Sequence, residues 1–365
     1  MATKNRPGGP PPDLRTAIKD AGFDWYAGDT PMTALSESER QAHLGLQIDK
    51  KEMAATAAAI AAVQALETSA FGVGAPAAID WRSNGGNWVT SIKDQLSCGS
   101  CVSFACCATI ESRVRIACRD AAFAIDLSEA DLFYCGCGKC CDPGWNFPPA
   151  LNYAKATGIA NETKFPYTPG DQPCKTGIGP YLKIKNWTAL LSMADRKNAI
   201  ATKGPVVAGF IVYEDFYSYQ SGVYRHVSGV EKGGHAISVV GYDDAQKCWI
   251  CKNSWGPSFG ESGYFRMGYG EAGMDTSFAF YDIDVDCPDV LPPVDDCASF
   301  VPQLRRVLEL ARQNPNLRQC LRYHVCGRPP RPRLCPPNYM QIVDLVKRIL
   351  QRCPQYRVSF CRALG

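Results

Sequence analysis

The chain contains no apolar run of 18 or more residues, so no stretch is long enough to cross a bilayer as a helix. Its opening, Met1 to Pro12, has no apolar core and does not read as a signal peptide. Residues 1–13 are rich in Pro and Gly and are expected to be disordered. Histidine is scarce: His43, His226, His235 and His324 are the full set, so chemistry that needs an imidazole has few places to reside. Acid is scarce towards the end of the chain. From Cys297 to Gly365 there are 13 Lys+Arg against 2 Asp+Glu, a net of +11, whereas the remainder holds 26 basic and 34 acidic residues, a net of −8. An acidic body therefore carries a basic tail, and the overall +3 conceals it. The tail shows no aromatic-interleaved nucleic-acid motif. Hydrophobic content of 46% and charged content of 21% are those of a globular protein, and 365 residues suffice for two domains or one with appendages.

Cysteine, by contrast, is plentiful. There are 19, and setting aside Cys101 leaves 18, an even number that suits disulfides and an oxidising compartment. An extracellular or lysosome- or vacuole-like location is the expectation, against the missing signal peptide. Six cysteines (297, 320, 326, 335, 353 and 361) fall within 297–365, where helical runs at Val301–Gln313 and Tyr339–Gln351 alternate with proline-rich turns. That is the pattern of a small disulfide-rich helical domain, with 15 possible connectivities. Before it, 287–296 reads as a linker.

Taken in order, Leu14 to about Glu67 reads as helical. Ser36 is placed to cap a helix, with Glu39 at the capping-box position, and Met53–Leu66 is Ala-rich. Gly72 to Pro76 breaks the pattern. A nucleophile helix is read from Ile92 to Arg119. Beyond Gly204-Pro205 the period becomes that of strands, at Val206–Tyr213, His235–Tyr242 and Cys248–Lys252, with a shorter segment at Gly222–Tyr224 and another at Gly263–Met267. A helical half followed by a strand-rich half argues for an α+β domain.

The chemistry centres on Gln95-Leu96-Ser97-Cys98-Gly99-Ser100-Cys101-Val102. Cys101 stands where an apolar helical run begins, and the positive end of a helix dipole favours thiolate over thiol. A cysteine nucleophile needs a base and a group that orients the base. His235 is the better base: Gly233-Gly234 clears side chains in front of it, and the apolar strand behind holds it. Asn253 would accept its imidazole N–H. Gln95 could donate to an oxyanion beside the Cys101 N–H. Cys106 and Cys107 read as core residues.

Cys98-Gly99-Ser100-Cys101, Gly233-Gly234-His235 and Asn253-Ser254-Trp255-Gly256 together resemble the papain-like cysteine proteases, with His and Asn lying 134 and 152 residues after Cys101. The resemblance covers roughly 76–286. It implies a papain-like two-subdomain fold, a helical half and a β-barrel-like half with the cleft between. The activity implied is that of an endopeptidase working through an acyl-thioester, with protein or peptide substrates and no cofactor or metal. Ile79-Asp80-Trp81-Arg82 looks like the start of the mature enzyme, so 14–75 would be a propeptide cut near Gly72–Ala78. The plainer alternative is an extension that merely packs, and the longer helical inhibitor pattern of many relatives is not evident. By the same likeness Cys98 pairs with Cys141 and Cys135 with Cys174. Cys140 could replace Cys141, and Cys137 and the other neighbour would pair with Cys118 or each other. Gly144 and Trp145 would line the substrate groove, Gly209 and Gly234 the pocket for the second residue before the cut, and Trp255 would shield the His235–Asn253 bond. Val102 and Phe259 stand where an aromatic and a tryptophan are usual.

Three rival readings remain. Cys135, Cys137, Cys140 and Cys141 with Cys248 and Cys251 form a zinc-knuckle candidate, which the adjacent pair fits poorly. A Cys-His-Asn acyl transferase or peptide ligase would use the same groups. A non-catalytic peptide binder would keep the fold alone. The basic tail is expected to meet a polyanion or a charged surface, or to dock on the acidic body, and the protein is expected to be a monomer.

Overall fold

The computed structural model describes residues 13–67, 75–288, 300–329, 332, 335–353 and 356–365. The opening expected to be disordered, up to residue 12, the Gly72–Gly74 part of the expected cut, the expected linker over 289–296 and Cys297 lie outside them. The chain divides into two compact units, Met1–Pro288 and Asp289–Gly365.

The first unit begins with α1 (Leu14–Asp20), β1 (Tyr26–Ala27), α2 (Glu37–Gln41) and α3 (Lys50–Glu67). The capping box is present: Ser36 Oγ accepts from the Glu39 N–H at 3.3 Å, and the Ser36 N–H donates to Glu39 Oε2 at 2.7 Å. A continuous helical reading of 14–67 is corrected at 21–36, which holds β1 and one 3-10 turn, and at 42–49, where the chain runs without a helix. There the backbone satisfies its donors outside its own segment. The Leu46 N–H bonds the Gly234 carbonyl at 3.2 Å, and the Gln47 N–H bonds the Trp145 carbonyl at 3.1 Å. Those contacts replace the bonds a helix would have supplied.

After β2 (Ala78–Asp80) comes α4 (Cys101–Ala117), and the segment read as helical from Ile92 is loop until Cys101. Every residue of α4 from Cys101 to Val114 is buried, because small and apolar side chains surround the helix on all sides. Its charged members are paired; Arg113 meets Asp282 at 2.8 Å. A π-helical turn spans Asp131–Cys135, followed by α5 (Phe147–Ala156), β3 (Asn186–Leu190) and α6 (Met193–Lys203). The strand-rich half then contains β4 (Val206–Tyr213), β5 (Tyr219–Ser221), β6 (Val223–Tyr224), β7 (Glu231–Asp243), β8 (Cys248–Lys252), β9 (Tyr264–Gly268) and β10 (Phe280–Asp284). Their sheet runs β3-β10-β4-β7-β8-β9-β6, with β2 added on β7, and only the β6–β9 pair is parallel. A separate β1–β5 pair ties the N-terminal segment to the sheet half.

The core lies around β4, β7 and β8, with Phe210, Phe216, Tyr219, Tyr224, Trp249 and Phe265 fully enclosed. Helix α4 packs across β7 and β4, which brings its first residue to the face of the sheet that carries His235.

Four disulfides staple this unit among the described residues: Cys98–Cys141, Cys118–Cys287, Cys135–Cys174 and Cys137–Cys140. The pairing left open for Cys118 is resolved to Cys287, a residue read as the start of the linker. The even set of 18 is not wholly paired. Cys106, Cys107, Cys248 and Cys251 are free and buried alongside Cys101, packed as small apolar side chains within α4 and β8.

The second unit holds α7 (Val301–Gln313), α8 (Pro315–His324), α9 (Pro337–Arg352) and α10 (Arg357–Ala363). Leu304, Val307, Leu321, Val346, Ile349 and Phe360 form its core, with Cys320–Cys335 and Cys326–Cys361 bonded. Helix α8 lies in a stretch whose prolines suggested turns. Pro315 starts it instead, at a position where a missing N–H costs nothing.

Candidate active site

The loop before α4 is tightly folded. Leu96 adopts a left-handed backbone conformation (φ 53°), the Cys98 N–H donates to the Leu96 carbonyl at 2.9 Å, and the Ser100 N–H to the Cys98 carbonyl at 2.7 Å. The Cys98–Cys141 bridge and a Gly99 N–H to Cys141 carbonyl bond of 2.8 Å anchor the turn from outside. Ser100 thereby becomes the N-cap and Cys101 the first residue of a 17-residue helix, whose leading N–H groups have no acceptor within the helix.

Gln95 is held by its oxygen. The Ser254 hydroxyl donates to Gln95 Oε1 at 2.7 Å and the Gln95 N–H reaches the Ser254 carbonyl at 2.9 Å. Its amide Nε2 is left facing inward, donating to the Cys98 carbonyl at 2.9 Å and the His43 carbonyl at 3.1 Å. Tyr167 closes the loop, donating to the Gln95 carbonyl at 2.7 Å.

His235 stands in β7 opposite Phe210 in β4. Its Nε2 lies 2.8 Å from Asn253 Oδ1, which also accepts the Ser254 N–H at 2.8 Å. An oxygen that accepts twice assigns the proton to Nε2, and Nδ1, buried and without a hydrogen-bond partner, is the basic nitrogen. Trp255 lies over the imidazole with ring centres 4.5 Å apart, and Phe259 meets the indole edge-on at 4.8 Å. With Trp255 only 2% exposed, water does not reach this side of the ring.

Residues 43–47 fill the space in front of these groups. The Cys101 thiol is faced by the backbone N–H groups of Ala236, Gly45 and Val102, which favour the thiolate, but burial outweighs them and pushes its pKa up to about 11. Burial likewise pushes His235 down to about 3, against a raising contribution from Asn253. In this covered state the thiol keeps its proton and the imidazole is neutral.

The fit of the segment is close. A Cβ on Gly45 would lie 1.8 Å from the Gly99 carbonyl oxygen, and one on Gly144 would lie 2.1 Å from the Gly45 oxygen. The Gly45 carbonyl accepts the Trp145 N–H at 2.7 Å. Leu46 pairs with Trp145 on one wall and Gly234 on the other. Its side chain points at Gly209, where a Cβ would meet it at 2.3 Å, with Phe278 and Phe147 beside it. The neighbouring cavity, about 260 Å³, is bounded by Leu46, Phe147, Phe278 and Tyr281.

Gln95, His235, Asn253, Gly144, Trp145, Gly209, Gly234 and Trp255 thus surround one cleft, with Cys101 at its floor. His226 is elsewhere, 3.1 Å from Asp215 and stacked on Tyr213 at 3.9 Å, and His324 belongs to the second unit. The cysteines of the zinc-knuckle reading do not gather: Cys135, Cys137, Cys140 and Cys141 are bonded in three different bridges, and Cys248 and Cys251 are free thiols.

A buried ionic cluster behind the cleft has no motif in the sequence. Lys252 precedes Asn253 and donates to the Thr90 carbonyl and hydroxyl at 2.9 and 3.0 Å; the Thr90 hydroxyl in turn donates a hydrogen bond to Glu111 at 2.6 Å. Lys93, two residues before Gln95, meets Glu129 and Asp126 at 2.7 Å and Glu111 at 3.7 Å. Burial pulls Lys252 down to about 8, whereas Lys93, only partly buried, is held charged by Glu111, Glu129 and Asp126. The only trace in the sequence is a lysine in front of each of two polar site residues.

The family described as papain family cysteine protease matches residues 75–281. The chain is 36% identical over 208 residues to cathepsin B-like CP3 of Giardia intestinalis, covering 53% of this chain and 69% of that one. It is 34% identical over 208 residues to cathepsin S of Rattus norvegicus, covering 53% and 60%. Among solved structures it is similar to digestive procathepsin L2 of Tenebrio molitor, with a TM-score of 0.60, 25% identity, and coverage of 75% of this chain and 88% of that one. The fold is also that of proCathepsin B S9 from Trypanosoma congolense, with a TM-score of 0.60 at 24% identity over 73% and 94% of the two chains. With the family match over more than half of the chain and these relatives beside the α+β fold, the protein is a cysteine endopeptidase, and the chain is a member of the papain family.

Proposed function

We propose that Cys101 is the nucleophile and His235 the base of peptide-bond hydrolysis, with Gln95 and Asn253 as their partners. The observation that carries the reading is the His235–Asn253 bond, which leaves Nδ1 as the nitrogen that takes the proton. Cys101 Sγ attacks the scissile carbonyl carbon as its proton passes to Nδ1. Gln95 Nε2 and the Cys101 N–H hold the developing oxyanion. His235 then gives the proton to the leaving amine, and water attacks the acyl-thioester with His235 again as base, returning the acid and the free thiol. Trp255 keeps water from the Asn253 bond. Gly144, Trp145 and Gly234 offer backbone to an extended substrate, and Gly209 leaves room for an apolar side chain of Leu size, the role Leu46 plays in the intact chain.

The enzyme is made as a zymogen. Residues 14–75 act as the propeptide, with His43 occupying the Gln95 amide and Gly45 the thiol. All the reacting groups come from one chain, which supports action as a monomer. The disulfides fit an oxidising compartment, and an extracellular or lysosome- or vacuole-like one is the reading the protease favours. Among the described residues no helix is long and apolar enough to cross a membrane. The basic second unit serves to meet polyanions. Cys101→Ala is expected to abolish turnover of a peptide substrate and covalent capture by an irreversible thiol inhibitor, both read by mass spectrometry. More than trace cleavage by that variant overturns the assignment.

A further inference from the structure

The second unit has a charge pattern that solubility does not require. Between Cys297 and Gly365 there are 12 arginines and one lysine, whereas the rest of the chain has 10 arginines and 16 lysines. Lysine solvates a surface as well as arginine does. Arginine differs in its planar fork of donors, which matches carboxylate and phosphate oxygens two at a time.

Four of these arginines, Arg312, Arg318, Arg322 and Arg328, line one cavity of about 310 Å³ with Gln319 and Pro315. It lies between the end of α7, one face of α8 and the loop that follows α8. No aspartate or glutamate lines it. The only acids from 297 onward are Glu309 and Asp344. None of the four arginines has an ion pair among the described residues. The Arg318 side chain is held by the backbone, its Nε donating to the Leu364 carbonyl at 2.6 Å, and the main chain of Arg328 is tied to that of Arg322 at 2.9 Å. Arg318 and Arg322 are one turn apart on α8, a like-charge spacing that opposes the helix unless something neutralises it.

We propose that this cavity is a binding site for a phosphate monoester. The inference rests on the reading of the second unit as an anion-binding domain and narrows it. A linear polyanion wants a track of charge along a surface, whereas these four arginines border a single concavity. A monoester brings nearly two negative charges and three free oxygens to one point, and its carbon side meets Pro315 rather than a donor. The source is either a lipid headgroup or a soluble ester.

The test uses the full chain carrying Cys101→Ser, so that it stays intact, titrated calorimetrically with glycerol 3-phosphate and with inorganic phosphate. Flotation is run with phosphatidylcholine vesicles containing phosphatidic acid, or phosphatidylserine at equal net charge. R312Q/R322Q is expected to weaken glycerol 3-phosphate binding by about 10-fold or more, and R312K/R322K nearly as much because the forks are lost. R305Q/R306Q, exposed arginines of α7 outside the cavity, are expected to change nothing. Preference for phosphatidic acid over equally charged phosphatidylserine assigns a lipid headgroup, and binding of the soluble ester alone assigns a free one. Equal response to both lipids with no dependence on Arg312 and Arg322 overturns the cavity site while leaving a diffuse polyanion surface in place. Absence of binding to phosphate, to either vesicle and to heparin overturns both.

Discussion

At the scale of single residues, the covered site is held in its inactive protonation state by burial. His235 is pushed from an ordinary value of 6.5 to about 3 in the closed chain, so the opened form, with a hydrated ring, takes up a proton first. The closed form keeps its full stability above about pH 6.5 and loses roughly 1.4 kcal/mol per unit as pH falls towards 3. Cys101 has the opposite sign: raised from 9.0 to about 11, it favours closure below pH 9 and ceases to as pH rises through 11. The protection factors of the Leu46 and Gln47 amides in Cys101→Ser, taken relative to the intrinsic exchange rate at each pH, should therefore fall between pH 7 and pH 5. Unchanged protection would show that protonation of His235 does not drive opening. Gly45 gives a second expectation at this scale. Its replacement by Ala puts a methyl carbon where only 1.8 Å separates it from the Gly99 oxygen, so the segment is displaced. Intact Gly45→Ala should hydrolyse a small peptide substrate about 10-fold faster than the intact parent, a loss of closure of about 1.4 kcal/mol.

At the scale of elements, two loops must arrive together: the one before α4, with Gln95, and the end of β8, with Asn253. Glu111 of α4 joins them, accepting from Thr90 on one oxygen and from the Leu127 N–H at 2.8 Å on the other, close to Lys93. Glu111→Ala leaves the buried Leu127 N–H and the Thr90 hydroxyl without their acceptor and removes a carboxylate beside Lys93 and Lys252. The expected cost is about 3–5 kcal/mol, read as a lowered denaturation midpoint. The sequence made the site residues legible because each sits in a short local pattern: Cys-Gly-Ser-Cys, Gly-Gly-His, Asn-Ser-Trp-Gly. Strands β4 and β8 were legible as apolar runs buried on both sides. Residues 42–49 were not, since helical text flanks them and their conformation is set by Trp145 and Gly234, about 100 and 190 residues away in sequence. Strands β3 and β10 were equally hidden: they form a partly exposed edge pair whose residues alternate too weakly to announce a strand.

At the scale of the whole molecule, the staples differ greatly in span. Cys137–Cys140 closes a separation of 3 residues and Cys118–Cys287 one of 169. In the chain-entropy account the longer bridge restrains far more of the unfolded chain, so Cys118→Ser is expected to cost about 2–5 kcal/mol, and Cys137→Ser much less. Urea midpoints of the two variants compare them directly. The long bridge also bears on how the protein is made. When Cys118 leaves the ribosome its partner has not been synthesised, and Cys106 and Cys107 are already available on the same helix as wrong partners. Correct pairing then depends on α4 being enclosed by β4 and β7 before oxidation fixes anything. Recovery of soluble enzyme should therefore rise when a disulfide isomerase is supplied, and should depend on it less once Cys106 and Cys107 are replaced by alanine.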